Sequence, residues 1–203
     1  MLRAVDCRKS CFDTDPLILN KTLRNFTKKE ERLLELVKQH ASRMLGGALL
    51  AVDAGDENIL RLIQTMMGRE DVRFSEVRAK IILVRDALDK MKFQGVTCAD
   101  KTCNDHNTLA FVCPGETELV HICDNFFESY DKNKSWKMRN ASAMEITLEH
   151  EAGHLAGIQS PLISGDEFYC SARDSCYDYC AVPDPMNNVD ALAYLFQCIS
   201  HQF

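Results

Sequence analysis

The chain has 203 residues, of which 46% are apolar and 27% charged, so it is long enough to bury a core and too apolar for a disordered or low-complexity segment. A net charge of −6 leaves no cationic footprint for a nucleic acid, and no apolar run approaches the length of a membrane span. Met1 to Asp13 contains no continuous apolar stretch, so no signal peptide is read there.

Residues 1–20 read as an irregular, cysteine-bearing arm. From Thr27 to about Leu50 the pattern is helical, with Leu33, Leu34, Val37, Ala41, Met44 and Leu45 recurring at helical spacing. Gly46-Gly47 weakens that helix, and Ala54-Gly55-Asp56 reads as its end or a turn. Asn58–Met67 reads as a second helix. A third runs from about Phe74 to Met91, with Val77, Ile81, Ile82, Val84, Leu88 and Met91 on one stripe. Core packing accounts for all three stripes.

Gly95 changes the character of the chain. Thr108–Cys113 and Leu119–Cys123 are short β-type runs separated by Pro114-Gly115-Glu116-Thr117-Glu118, which predicts a hairpin with a longer loop. Residues 128–141 are loop-like. Ala143 to about Gly157 is helical, 158–187 is irregular and rich in Cys, Asp, Tyr and Pro, and Asn188 to about Ser200 closes the chain as a helix. The expected architecture is a single α+β domain over residues 1–203: an N-terminal helical part (about 21–92), then a hairpin, a helix and a Cys-rich loop (about 95–203).

Ten cysteines, with no CxxC among them, favour disulfides over a thiolate zinc site and therefore an oxidising, extracellular compartment. Spacing alone does not give their pairing. Four N-x-S/T sequons, at Asn20, Asn25, Asn133 and Asn140, agree with a secreted glycoprotein.

His150-Glu151-Ala152-Gly153-His154 is the segment with chemistry in it. On a helix, positions i and i+4 lie one above the other, so the two imidazoles can share one zinc ion. Glu151 follows the first His, where it can take a proton from a zinc-bound water. The bland reading is two solvated histidines on a surface helix, but Ile146-Thr-Leu before the motif and Leu155-Ala-Gly157 after it give an apolar helical context. A catalytic zinc needs a third protein ligand. Ser160 stands where a longer motif of this kind would place another His. Asp166, twelve residues after His154, is close enough for a loop to return it to the metal, and Tyr169 could aim a hydroxyl at an oxyanion. His40, His106, His121 and His201 have no ligand-spaced partners and read as structural or surface residues.

On His150-Glu-Ala-Gly-His154 and Asp166-Glu-Phe-Tyr169 the chain resembles the aspzincin metallopeptidases, the family of fungal deuterolysin and peptidyl-lysine metalloendopeptidase. The Gly of the family's second motif falls at Gly165, directly before the Asp, and Cys170 follows the Tyr where a Gly is common. Cys98–Cys103, the runs ending at Cys113 and Cys123, and Asn188-Val-Asp190-Ala-Leu-Ala-Tyr194 extend the likeness over about residues 95–198. The resemblance implies a mainly helical, disulfide-stapled zincin-like fold with a small sheet before the metal helix. It implies one Zn2+ per chain on His150, His154 and Asp166, with Glu151 and Tyr169 catalytic. It also implies Cys7 or Cys11 tied to Cys98, Cys103 tied to Cys123, and the cysteines around 170–180 with Cys198 stapling the loop that bears Asp166. Asp190 matches an acid that in the lysine-specific branch binds the residue after the cut; Ala193 stands where a second acid would be. The plain alternative for Asp190 is a helix N-terminal acid favoured by the dipole.

The expected protein is a secreted, monomeric zinc metallo-endopeptidase acting on protein or peptide substrates, with a basic residue after the cut as the implied preference. It neither binds nucleic acid nor spans a membrane. The alternatives are a non-catalytic, secreted zinc-binding or host-interaction protein on the same scaffold and an intracellular protein with an accidental motif.

Overall fold

The computed structural model describes residues 23–97, 103, 108–113, 115–127, 143–158, 176, 182 and 184–202. They form an α+β arrangement of five helices and a small mixed sheet. In chain order the elements are β1 (Leu23–Arg24), α1 (Lys28–Ala54), α2 (Glu57–Met67), α3 (Phe74–Lys90), β2 (Lys92–Val96), β3 (Ala110–Phe111), β4 (Leu119–Cys123), α4 (Ala143–Leu155) and α5 (Val189–Ser200).

The helix ends follow local chemistry. Thr27 caps α1 in a reciprocal capping box with Glu30, Asp56 caps α2, and Asn188 caps α5 by accepting from the Ala191 amide. Gly55 ends α1 in the left-handed conformation that only glycine adopts without strain. At the far end of α3, Lys38 donates to the carbonyls of Asp89 and Met91, satisfying acceptors that the helix leaves open.

Gly46-Gly47 does not interrupt α1, which runs unbroken for 27 residues. Each glycine costs about 1 kcal/mol relative to alanine in a helix interior. Burial of Ala41, Leu45, Ala48, Ala51 and Val52 along the same helix offsets that cost. A Cβ at 47 would meet the Ser200 Cβ at 3.8 Å, an ordinary contact, so the approach of α5 does not require a glycine there.

The sheet order is β1-β2-β4-β3. The expected hairpin forms, with Ala110 opposite Ile122 and Phe111 opposite His121. Its neighbour β2 was not legible in advance. It runs parallel to β4 from Lys92↔Leu119 to Val96↔Cys123, and β1 pairs antiparallel along its other edge. Gly95 belongs there because a Cβ would sit 2.8 Å from the Arg24 carbonyl oxygen of β1. Arg24 links the strand to its surroundings by charge, contacting Asp124 at 2.7 Å and Glu30 at 2.8 Å. That guanidinium, foremost, holds the Glu30 carboxyl down to about 2.

Cys103 is bonded to Cys123, and Cys176 to Cys198. The first joins the strand region to the segment before it; the second ties residue 176 to α5. Cys113 is also disulfide-bonded. The pairing expected for Cys7 or Cys11 with Cys98 lies outside the described residues. Among the described residues no helix is long and apolar enough to cross a membrane.

Helix α4 occupies the centre. It packs on α1, α3, α5 and the β3 strand, so apolar Met144, Ile146, Leu148 and Ala152 are buried on several sides at once. A helix enclosed this way has little solvent face before its last turn, where His154 and Leu155 are partly exposed, and its other polar residues are buried with the rest. Those are Glu145, Thr147, Glu149, His150 and Glu151. Buried polar groups of this density require a reason.

Candidate metal centre

The i, i+4 spacing of His150 and His154 places their imidazoles together near the C-terminal end of α4. The two Nε2 atoms are 3.1 Å apart, with the rings nearly perpendicular. His150 is 6% exposed, Glu151 5%, and His154 partly exposed. Donor chemistry and spacing fit a zinc ion. Two nitrogens 3.1 Å apart, each about 2.05 Å from a common ion, subtend about 100° there, close to a tetrahedral angle. Without an ion, the same pair makes one imidazole–imidazole hydrogen bond.

Behind His150 stands α5. Asp190 is 2% exposed, and its Oδ1 lies 3.4 Å from His150 Nδ1. The approach depends on Gly153, whose missing Cβ would be 2.8 Å from Val189 Cγ1. Asp190 also bears on Tyr194, one turn along α5. Burial first, and then the Asp190 charge, push the Tyr194 phenol up to about 12. Asp166 and Tyr169, the other expected members of the site, lie outside the described residues.

Glu149 was missed by sequence reasoning. It precedes the motif, is 1% exposed, and among the described residues neither carboxyl oxygen has a hydrogen-bond partner. Burial, with the nearby Glu145 charge second, raises its pKa well above the usual 4.5. No pattern signalled this, because α4 has buried residues all round and any of its polar positions could have faced water. His40, expected to be structural, pairs with Glu145 at 3.0 Å.

Glu149 carries a stability prediction. Its native carboxyl keeps its proton at pH values where the unfolded chain has released it. Stability is therefore lost as pH rises above about 4.5 toward the raised native value. Replacing Glu149 with Met removes an unsatisfied buried acid while keeping the chain length. The variant is expected to be more stable by about 1–3 kcal/mol near neutrality, with a smaller gain at pH 4. Urea melts at pH 4 and pH 8 measure this, and an equal or negative effect at pH 8 would contradict it.

A second cluster brings together Cys113, Glu116 and His121. His121 Nε2 is 3.1 Å from Glu116, and its ring stacks on Phe111 at 4.9 Å. These three could hold a metal by proximity, but a sulfur already in a disulfide is no thiolate. The cluster is better explained as a histidine held by a carboxylate and a phenyl face. The open surface depression lined by Leu60, Gln64, Val72, Arg73 and Phe74, about 600 Å³ in volume, contains none of the candidate residues.

Compared with protein-family models, with curated proteins and with solved structures, the chain matches none. What its described residues define is an α+β, disulfide-bonded protein with a His-Glu-x-x-His helix buried at its centre.

Proposed function

We propose that the protein is a secreted zinc metallo-endopeptidase of zincin-like design. The observation that carries this reading is the convergence of the His150 and His154 Nε2 atoms at 3.1 Å, with Glu151 between them in sequence and a carboxylate behind the first ring. A simple metal-holding site needs the imidazoles; it does not need an acid one residue after the first of them. The disulfides support an oxidising compartment.

In this reading His150, His154 and Asp166 hold one zinc ion, Asp166 entering on its place in the sequence. Bound there, zinc supplies Lewis acidity and a water whose pKa is lowered toward neutrality. Glu151 takes the proton of the attacking water and later delivers it to the leaving amine nitrogen. Tyr169, also assigned on sequence, donates a hydrogen bond to the oxyanion of the tetrahedral intermediate. Burial of His150 and Glu151 keeps bulk water away, so charges in the site act in a weakly screened medium. Substrates are proteins or peptides.

Elemental analysis of the wild type beside Asp166→Ala tests the site. One zinc per chain in the wild type, with affinity clearly weakened in the variant, is expected. A wild type without zinc, or a variant that binds it equally, would remove the three-ligand site and leave a disulfide-bonded α+β protein without an assigned activity.

A further inference from the structure

We infer that Asp190 is a positioning residue: its buried carboxylate keeps the proton of the His150 ring on Nδ1, and so presents Nε2 as a bare lone pair toward His154. The inference deepens the reading of His150 as a metal ligand and rests on it for its purpose, although its first readout needs no metal.

The two nitrogens of the His150 ring face different partners. Nδ1 lies 3.4 Å from Asp190 Oδ1, and Nε2 lies 3.1 Å from His154 Nε2. A carboxylate only accepts, so the nitrogen beside it is the one that carries hydrogen. In a neutral imidazole the other nitrogen is then an acceptor, which is the form a metal takes. At 3.4 Å the two atoms do not form a hydrogen bond, and the influence is the attraction between a charge and an N–H dipole. Both side chains are at most 8% exposed, so water screens that attraction poorly. Carboxylates behind metal-binding histidines act in this way, fixing the tautomer and ring orientation.

The backbone is arranged to bring the acid there. Asn188 caps α5 and sets the direction of its first turn. Val189 then lies on Gly153, where any side chain would collide. With α5 seated this closely on α4, the next residue, Asp190, meets the ring one helical turn back from His154. Near-complete burial suits an acid that acts on another side chain; an acid that grips a substrate needs an open carboxylate.

The test uses the full chain. In the metal-free, 15N-labelled protein, long-range 1H–15N spectra distinguish the two neutral tautomers, with the His150 signal identified by its absence in His150→Gln. The wild type is expected to be mainly Nδ1–H. Asp190→Asn keeps the shape but offers an amide N–H to Nδ1, and is expected to move the ring toward Nε2–H. Competition titration should then find zinc binding weakened about 10–100-fold in this variant. Gly153→Ala, which keeps the Asp190 side chain but pushes Val189, and with it Asp190, away from the ring, should weaken zinc in the same direction and guards against misfolding of the first variant.

A mainly Nε2–H ring in the wild type would overturn the inference. So would zinc binding and tautomer both unchanged in Asp190→Asn, while leaving His150 as a ligand. An Asp190-dependent Nδ1–H ring in a wild type that binds no zinc would uphold the positioning role and instead defeat the metal reading.

Discussion

Glu151→Gln is expected to lower peptide-bond cleavage by about 10²–10⁴-fold while leaving one zinc per chain, because it removes the proton acceptor and keeps the ligands. Glu151 lies on α4 between the two histidines in sequence, and at 5% exposed it is well shielded from bulk solvent. Glutamine has nearly the same volume, so the packing of this enclosed helix is preserved. The loss corresponds to roughly 3–5.5 kcal/mol of barrier, at 1.36 kcal/mol for each factor of ten. It should appear in kcat more than in KM, since the group acts in the transition state rather than in holding substrate. The measurement is cleavage of a denatured protein or a peptide library by both forms, with metal content determined in parallel. A wild type that holds zinc but cleaves nothing points to a non-catalytic zinc protein. A Gln variant as active as the wild type would show that Glu151 is not the base.

The second large effect is expected from the bond between Cys176 and Cys198. Replacing both with Ala should cost about 3 kcal/mol, the entropy of opening a loop of this length in the unfolded chain, and lower Tm by roughly 6–12 °C. Their separation is 22 residues, and Cys198 is 5% exposed on α5. The same helix brings Asp190 to His150, and Cys176 follows Asp166 by ten residues in sequence. A proportionate fall in zinc affinity is therefore expected alongside the fall in stability. Chemical denaturation of the double variant beside the wild type measures the first, and competition titration the second. Unchanged stability would mean that the remaining packing holds α5 without the covalent tie.

Much of the helical framework was legible in advance. All five helices start within one residue of their expected positions, because capping residues and the 3.6-residue period are local signals. Asp56, Asn188, Gly55 and Gly68 mark boundaries through backbone chemistry that needs no distant partner. The Gly46-Gly47 pair weakens α1 without ending it, because burial of the flanking residues along the helix offsets its local preference, and the helix ends at Gly55 as expected. Strand β2 was missed because Lys92-Phe-Gln-Gly-Val has neither alternation nor a β-branched run, and its parallel partner is 27 residues away in sequence.

The sequence by itself determined that His150 and His154 would share one face, since a helix imposes that on any pair four residues apart. It also marked Glu151 as the adjacent acid and favoured disulfides for its cysteines, which the five among the described residues form. Only the tertiary structure decided what surrounds that helix. α4 carries no one-sided apolar stripe, so nothing local specified which residues would face α1, α3 or α5. The unsatisfied burial of Glu149, the fit of Val189 against Gly153 and the approach of Asp190 to His150 all arise where separate elements meet. Such contacts depend on the positions of whole helices in space, which neither periodicity nor motif spacing encodes.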